Sequence, residues 1–493
     1  MTRHRRRSGH DPHTCVCHGS LGQGSPCHGS LCHGPDLEPH DIQGGILHGY
    51  RGEARAYVFL EVDDACAARG WLRETEPTVT SDADHPPPPV AVNLAFTCRG
   101  LHALGMPRHR LAQLPAPFRE GMAARSGLLG DAGPQHADSW ESPFRRDDPL
   151  HVVVMLDGSA DAVAEHVEQL RSGLWQDGLV ELGPPLWGRR LDGGREHFGF
   201  VDGLSQPPVE GVSGAHAASS PGQGRLRDGR WEALAPGEFV LGLPDADGVR
   251  DRTLAALTTN GSYLVLRKLE QDVPAFRRLV VDAARRSRLA EEVVAAKIMG
   301  RWADGAPLTM SPAVGDAPWG ETDSDREGFT YAGDGGERCP LGAHVRRANP
   351  RGSLGFDGRL EHRHRLLRRG IPYGPPFVDD DPGTWEASRG LVFACYQADL
   401  ETQFEFVQSR WLGDGDAFGL GDDVDPVVGD PARGTGVLWL DRPVRVPTVP
   451  PRESAGAVRT RGGAYLLQPG LRALRYLASL PDTPHPRSSG ERS

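Results

Sequence analysis

Three short segments carry residues whose types and spacing could do chemistry. The first is Gly199-Phe200-Val201-Asp202-Gly203, continued by Leu204-Ser205-Gln206-Pro207. Glycines on both sides of an acid let the backbone turn sharply and bring one carboxylate, Asp202, close to a ligand. Taken alone, an Asp before a Gly is an ordinary turn residue. The second is Cys339-Pro340-Leu341-Gly342-Ala343-His344-Val345-Arg346-Arg347-Ala348-Asn349-Pro350-Arg351. One imidazole, His344, among small and apolar neighbours and ahead of three arginines suits an axial nitrogen on a haem iron. Nearby guanidinium groups would then neutralise the propionates. A solvated basic loop with an incidental histidine has the same composition. The third, from His364 to Gly374, sets Arg368 in a basic amphipathic stretch ending at a Gly-Ile-Pro turn. By itself that stretch reads as a surface charge run.

The elements that must position these residues follow from hydrophobic period. Order is expected to begin near Asp41-Ile42-Gln43-Gly44. Ala56–Val62 reads as a strand, Ala65–Leu72 as a helix, and Val90–Thr97 as a second strand beyond a Pro-rich loop. His151–Leu156 is a third strand, and Ala160–Arg171 an amphipathic helix with Ala162, Val163, Val167 and Leu170 on one face. This is the split βαβ grammar of a ferredoxin-like unit. It recurs with a strand at Tyr263–Leu266, helices at Val273–Ala284 and Leu289–Met299, a strand at Leu391–Tyr396 and a helix at Leu400–Trp411. The expectation is an α+β chain of two modules, 41–195 and 196–480, with irregular insertions around 212–235 and 303–338 and a loose end at 481–493.

The 493 residues are 38% apolar and 25% charged, enough for a real core. A net charge of -11 argues against nucleic acid or an anionic membrane as the main partner and favours a small molecule. Against that background, the basic stretch from Arg346 to Arg369 marks a pocket for an anionic ligand. Residues 1–40 form a Cys-, His- and Gly-rich tail with Cys-His-Gly at Cys17, Cys27 and Cys32. Such a tail cannot fold alone. A dedicated metal site or a c-type haem attachment is a weaker reading than adventitious metal binding, since the latter motif wants two residues between its cysteines. Cys66, Cys98, Cys339 and Cys395 read as small buried residues and not as a disulfide framework, which points to a reducing compartment. Arg5-Arg6-Arg7 lacks the apolar run an export signal needs, and no stretch is long and apolar enough to span a bilayer. A cytoplasmic chain is expected.

The order and combination of the three segments resemble the dye-decolorizing peroxidase family, in its larger form with long insertions. Gly199–Gly203 matches the Gly-x-x-Asp-Gly signature of that family, His344 falls where it places the proximal haem ligand, and Arg368, four residues before Pro372, where it places the distal arginine. Further collinear matches are Asp41–Gly44, Gly237–Val240, Asn260–Tyr263, Arg389–Phe393, Gln403–Gln408 and Thr460–Gly463, so the resemblance runs from about Asp41 to Ser479. It implies a pair of ferredoxin-like modules forming a dimeric α+β barrel-type fold, with one haem b per chain in the C-terminal module.

The resemblance also implies roles. Asp202 would move a proton between the two oxygens of hydrogen peroxide, and Arg368 would stabilise charge on the departing oxygen, giving a high-valent iron-oxo intermediate. A carboxylate partner behind His344 would make the imidazole more basic. Glu401 sits where larger members carry that partner, with Asp399 as its rival. Small aromatic reductants would return the electrons, bulky ones through a relay such as Tyr373, Tyr396 or Trp411. An aspartate in place of a histidine as proton shuttle predicts an acidic optimum. The rival is a haem-binding or haem-handling protein without significant turnover, which would need His344 but not Asp202 and Arg368 together. The physiological reductant and the oligomeric state stay open.

Overall fold

Nine residues of almost unbroken burial, Ala54–Val62, form the first strand, β1, of a closed sheet in the computed structural model. The structure describes residues 37–212, 221–312, 326–430, 437–440, 443–445 and 456–481. The Cys/His-rich tail as far as residue 36, the Arg5–Arg7 run and residues 482–493 lie outside them. After β1 come α1 (Ala65–Thr75), β2 (Val90–Phe96), β3 (Val152–Gly158), α2 (Ala160–Gly173) and β4 (Leu186–Arg189). Asp64 starts α1 by accepting hydrogen bonds from the amides of Cys66 and Ala67, the usual satisfaction of orphan donors at a helix start. The second half supplies β5 (Ser262–Gln271), α3 (Val273–Ser287), α4 (Glu291–Met299), β6 (Ile371–Tyr373), β7 (Gly390–Gln397), β8 (Val458–Gln468) and α5 (Leu471–Ala478).

The two halves have the same topology. β4-β1-β3-β2 and β8-β5-β7-β6 are both antiparallel and both have the 4-1-3-2 order of a ferredoxin-like unit. They meet at two seams, Phe96 opposite Leu467 and Gly188 opposite Tyr373. The eight strands therefore close into a barrel, through one residue pair at each seam. Helices cover the outside: α2 lies on β1 and β3 and buries Val163 and Val167 completely, about 1.5–3 kcal/mol each. The Asp41–Gly44 segment is ordered because it ties the chain ends together. The Gln43 amide donates to the carbonyls of Leu94 and Pro469, and Asp41 accepts from the amide of Arg472 at the start of α5.

Three expectations need correction. The 212–235 insertion contains a hairpin, Arg225–Arg227 against Arg230–Glu232, and is not wholly irregular. The helix expected at Leu400–Trp411 is wound more widely, as π-helical turns over Leu400–Glu405 and Val407–Leu412. Of the four body cysteines, all unbridged, Cys339 and Cys395 are buried, Cys98 is half-buried and Cys66 is exposed on α1. No described helix is long and apolar enough to cross a membrane.

Candidate active site

A cavity of about 270 Å³ opens in the second half of the chain, and Asp202, His344 and Arg368 all line it. Their segments are 142 and 24 residues apart in sequence, counting from Asp202 to His344 and on to Arg368, so only the fold brings them together.

Asp202 sits on a turn whose amides are fixed from several sides. Its own amide donates to the Gly194 carbonyl at 2.9 Å and that of Val201 to Ala303 at 3.1 Å. Gly203 follows at φ +83°, left-handed backbone that a glycine adopts without strain, and its amide donates to Asp202 Oδ1 at 2.6 Å. Glu196 holds the turn from below. It is half-buried, and its carboxylate accepts from the Phe198 and Phe200 amides at 2.9 Å each and from the Gln271 side chain. Burial raises its pKa against those donors, and the charge of Asp202 adds to the rise.

Arg368 enters from a two-residue strand, Leu367–Arg368, paired with β7 opposite Tyr396 and Cys395. Its guanidinium lies 3.5 Å from Asp202 Oδ1 and also donates to the Leu204 carbonyl. Both side chains are about a third exposed (37% and 30%), so the pair faces the cavity and is not sealed in the core.

His344 starts a short helix, His344–Ala348. Its Nδ1 lies 3.0 and 3.1 Å from the two oxygens of Asp425, a wholly buried carboxylate that also accepts from the amides of Val427 and Val428. Burial would raise the Asp425 pKa, but the imidazole of His344, the charge of Arg347 and the Val428 amide bring it below the ordinary carboxylate value. Burial would likewise lower that of His344, and Asp425 carries it above the ordinary histidine value. An ionised carboxylate only accepts, so Nδ1 holds a proton, and in the neutral ring Nε2 has the lone pair on the cavity side.

Glu401 is not the partner of His344. It is 58% exposed and faces Arg125 at 3.5 Å, on the same side of the π-helical stretch as Glu405, which Arg125 grips at 2.6 Å. Phe404, Gln408 and Leu412 take the cavity side. At more than four residues per turn these are distinct faces, and Glu401 is on the wrong one. Asp399 caps the first turn by accepting from the amides of Glu401 and Thr402. Asp425 was legible only as an acid in the run Asp422-Asp423-Val424-Asp425-Pro426, 81 residues from His344.

The expected cations are also redistributed. Arg346 and Arg347 turn inward, to Asp334 and the Cys339 carbonyl and to Asp423 and the carbonyls of Trp411 and Asp414, and brace the loops. The cavity wall keeps Arg351 of the expected three, with Arg365 and Arg368 from the same basic stretch, and adds Arg301. Arg267, also on the wall, is paired with Asp131; apart from that pair and Arg368 the wall cations are Arg301, Arg351 and Arg365. Among the described residues, Arg301, Arg351 and Arg365 donate to carbonyl, amide and hydroxyl oxygens, with Arg301 and Arg351 sharing Ser205 Oγ at 2.8 and 2.7 Å. Burial lowers the pKa of all three, and Arg301 opposes the charge of Arg351. Glu327 and Glu361 act on these cations without a direct ion pair among the described residues, and buried guanidinium groups so placed suit an anionic ligand. Phe198, Phe200, Leu269 and Met299 add apolar wall. A cavity-lining imidazole backed by a carboxylate, apolar walls and several guanidinium groups together fit a haem with its two propionates. The proposed relays are internal: Tyr373 and Tyr396 are 4% exposed and Trp411 1%.

Comparison with known proteins agrees with this geometry. Residues 41–179 match the family described as the DyP dimeric alpha+beta barrel domain, and residues 251–424 the one described as Dyp-type peroxidase, C-terminal. The multifunctional dye peroxidase DyP2 of Amycolatopsis sp. is 32% identical over 476 residues, 89% of this chain and 95% of that one. The dye-decolorizing peroxidase msp1 of Mycetinis scorodonius is 30% identical over 468 residues, covering 89% and 87%. A solved dye-decolorizing peroxidase in complex with 2,6-dimethoxyphenol superposes with a TM-score of 0.74 at 28% identity, covering 90% of this chain and all of that one. With both family domains in sequence, a barrel of matching topology and relatives aligned over nearly nine-tenths of its length, this chain belongs to the dye-decolorizing peroxidase family.

Proposed function

We propose that this chain is a haem-dependent peroxidase that reduces hydrogen peroxide and oxidises dyes, phenols or other small aromatic reductants, with one haem b per chain. The observation that carries the reading is the convergence of Asp202, Arg368 and a carboxylate-backed His344 on one cavity. When bound, haem supplies the electrons that break the O–O bond. His344 Nε2 would hold its iron, and Arg301, Arg351 and Arg365 would hold its carboxylates. Asp202 Oδ1 is engaged by Gly203 and Arg368, which leaves Oδ2 to take a proton from one peroxide oxygen and return it to the other. Arg368 stays cationic throughout and stabilises the charge that develops on the departing oxygen. A phenol as reductant is supported by the 2,6-dimethoxyphenol complex of the structural relative. The four unbridged cysteines support a reducing, cytoplasmic setting.

The test is stopped-flow absorbance of the haem-loaded protein mixed with a slight excess of hydrogen peroxide. A fast shift of the Soret band, reversed by 2,6-dimethoxyphenol and slowed about a hundredfold or more in Asp202→Asn, is expected. A Soret band that stays put on mixing would make the chain a haem carrier.

A further inference from the structure

We propose that His48, Asp82 and His85 form a binding site for a divalent transition-metal ion, separate from the haem cavity. One ligand atom from each of the three lies within 4.8 Å of the other two, and none of the three residues lines the cavity. Their two segments are pinned together by backbone pairing. The Gly44 amide donates to the Thr80 carbonyl and that of Asp82 to Ile42, at 2.8 Å each, on either side of a bridge between Gln43 and Ser81. The turn bearing Asp82 and His85 is fixed as well, by Asp84, which accepts from the Ser81 amide and hydroxyl at 2.8 and 3.0 Å. Such a cluster is assembled before any ion arrives.

The geometry suits coordination. Asp82 is 3% exposed, and Oδ1 accepts from the His48 amide at 3.1 Å, which aims Oδ2 at His48 Nδ1, 3.0 Å away. Two ligands about 2.1 Å from one ion, at the angles of a tetrahedral or octahedral shell, stand about 3.0–3.4 Å apart. An Asp–His hydrogen bond accounts for two of the three residues but not for the second imidazole. The His85 ring meets His48 edge-on with centroids 4.3 Å apart, and it is exposed, so the site has an entry path from solvent. Two imidazoles and one carboxylate favour zinc, nickel, copper or ferrous iron over the hard, oxygen-preferring cations. The ion would also fasten a loop close to the active site. The Gly45, Ile46 and Leu47 carbonyls just ahead of His48 hold the guanidinium of Arg369, the neighbour of Arg368.

The test uses the full-length haem-loaded protein and zinc. Because residues 1–36 contain histidines and cysteines of their own, zinc per chain after equilibrium dialysis is read as a difference between the natural protein and His85→Ala. His85 is exposed, so this variant keeps the fold, and Asp82→Asn serves as a second variant. The expected result is one zinc fewer per chain in both variants at an unchanged Soret spectrum, with anomalous X-ray scattering at the zinc edge placing an ion among the three side chains. Equal zinc content in all three proteins, with no anomalous density at that position, would overturn the site and leave a hydrogen-bonded Asp–His pair.

Discussion

Replacing Asp425 by asparagine changes one atom behind the proposed iron ligand, and the structure says which way the change propagates. Asp425 Oδ1 accepts from the amides of Val427 and Val428 at 2.9 Å each, while Oδ2 takes the closer contact to His344 Nδ1 at 3.0 Å. The two backbone donors cannot move, so the asparagine oxygen stays with them and its NH2 group faces the imidazole. Nδ1 must then accept, and the ring proton shifts to Nε2, the nitrogen required for iron. The loss is that of a buried hydrogen bond to a charged group, about 1.5–3 kcal/mol. That corresponds to about ten- to a hundredfold in haem affinity, the range seen for partners behind metal-bound histidines. Titration of haem into the apoprotein, followed at the Soret band, reads the affinity, and the ferric/ferrous midpoint potential should rise in parallel. Glu401→Gln in the same series should stay within about twofold, because Glu401 is 58% exposed and faces Arg125. Weak haem binding in Glu401→Gln together with normal binding in Asp425→Asn would refute the reasoning.

Other consequences follow from the same contacts. His151 accepts a hydrogen bond from the Val62 amide at 2.9 Å, and burial, with the charges of Arg99 and His102, lowers its pKa to about 4. The unfolded chain binds that proton below about pH 6.5 and the folded one does not. The stability held by the neutral ring is thus present above pH 6.5 and lost as pH falls towards 4, which calorimetric Tm against pH should show and His151→Gln should flatten. Gly390→Ala would place a Cβ 1.9 Å from the Leu269 carbonyl across the β5–β7 pairing, so urea unfolding should show a loss of at least about 2 kcal/mol. Tyr373 lies in the β4–β6 seam with Lys268 Nζ 5.2 Å from its ring centre. If it relays electrons, Tyr373→Phe should slow bulky dyes several-fold in steady-state assays and leave the peroxide-driven Soret change intact.

Much of this protein is written locally. Continuous apolar runs give β1, β2 and β3, and period-3.6 patterns give α1 and α2, to within a few residues, because the strands are buried on both faces and the helices on one. The motifs around Asp202, His344 and Arg368 are local as well, since a turn glycine, an imidazole with small neighbours and an arginine before a turn are short-range requirements. What stands behind those residues was decided by packing. Asp425 reaches His344 only because the chain returns past the π-helical stretch, whose wide winding turns Glu401 out to Arg125. Arg346 and Arg347 look like ligand-binding cations in sequence, yet burial against Asp334 and Asp423 makes them braces, and Arg301 and Arg365 take the cavity wall. His48, Asp82 and His85 are ordinary loop residues until backbone pairing of two distant segments joins them. Local pattern fixes what a residue can do. Which charge meets which partner depends on contacts tens to hundreds of residues apart, and only the closed barrel specifies those.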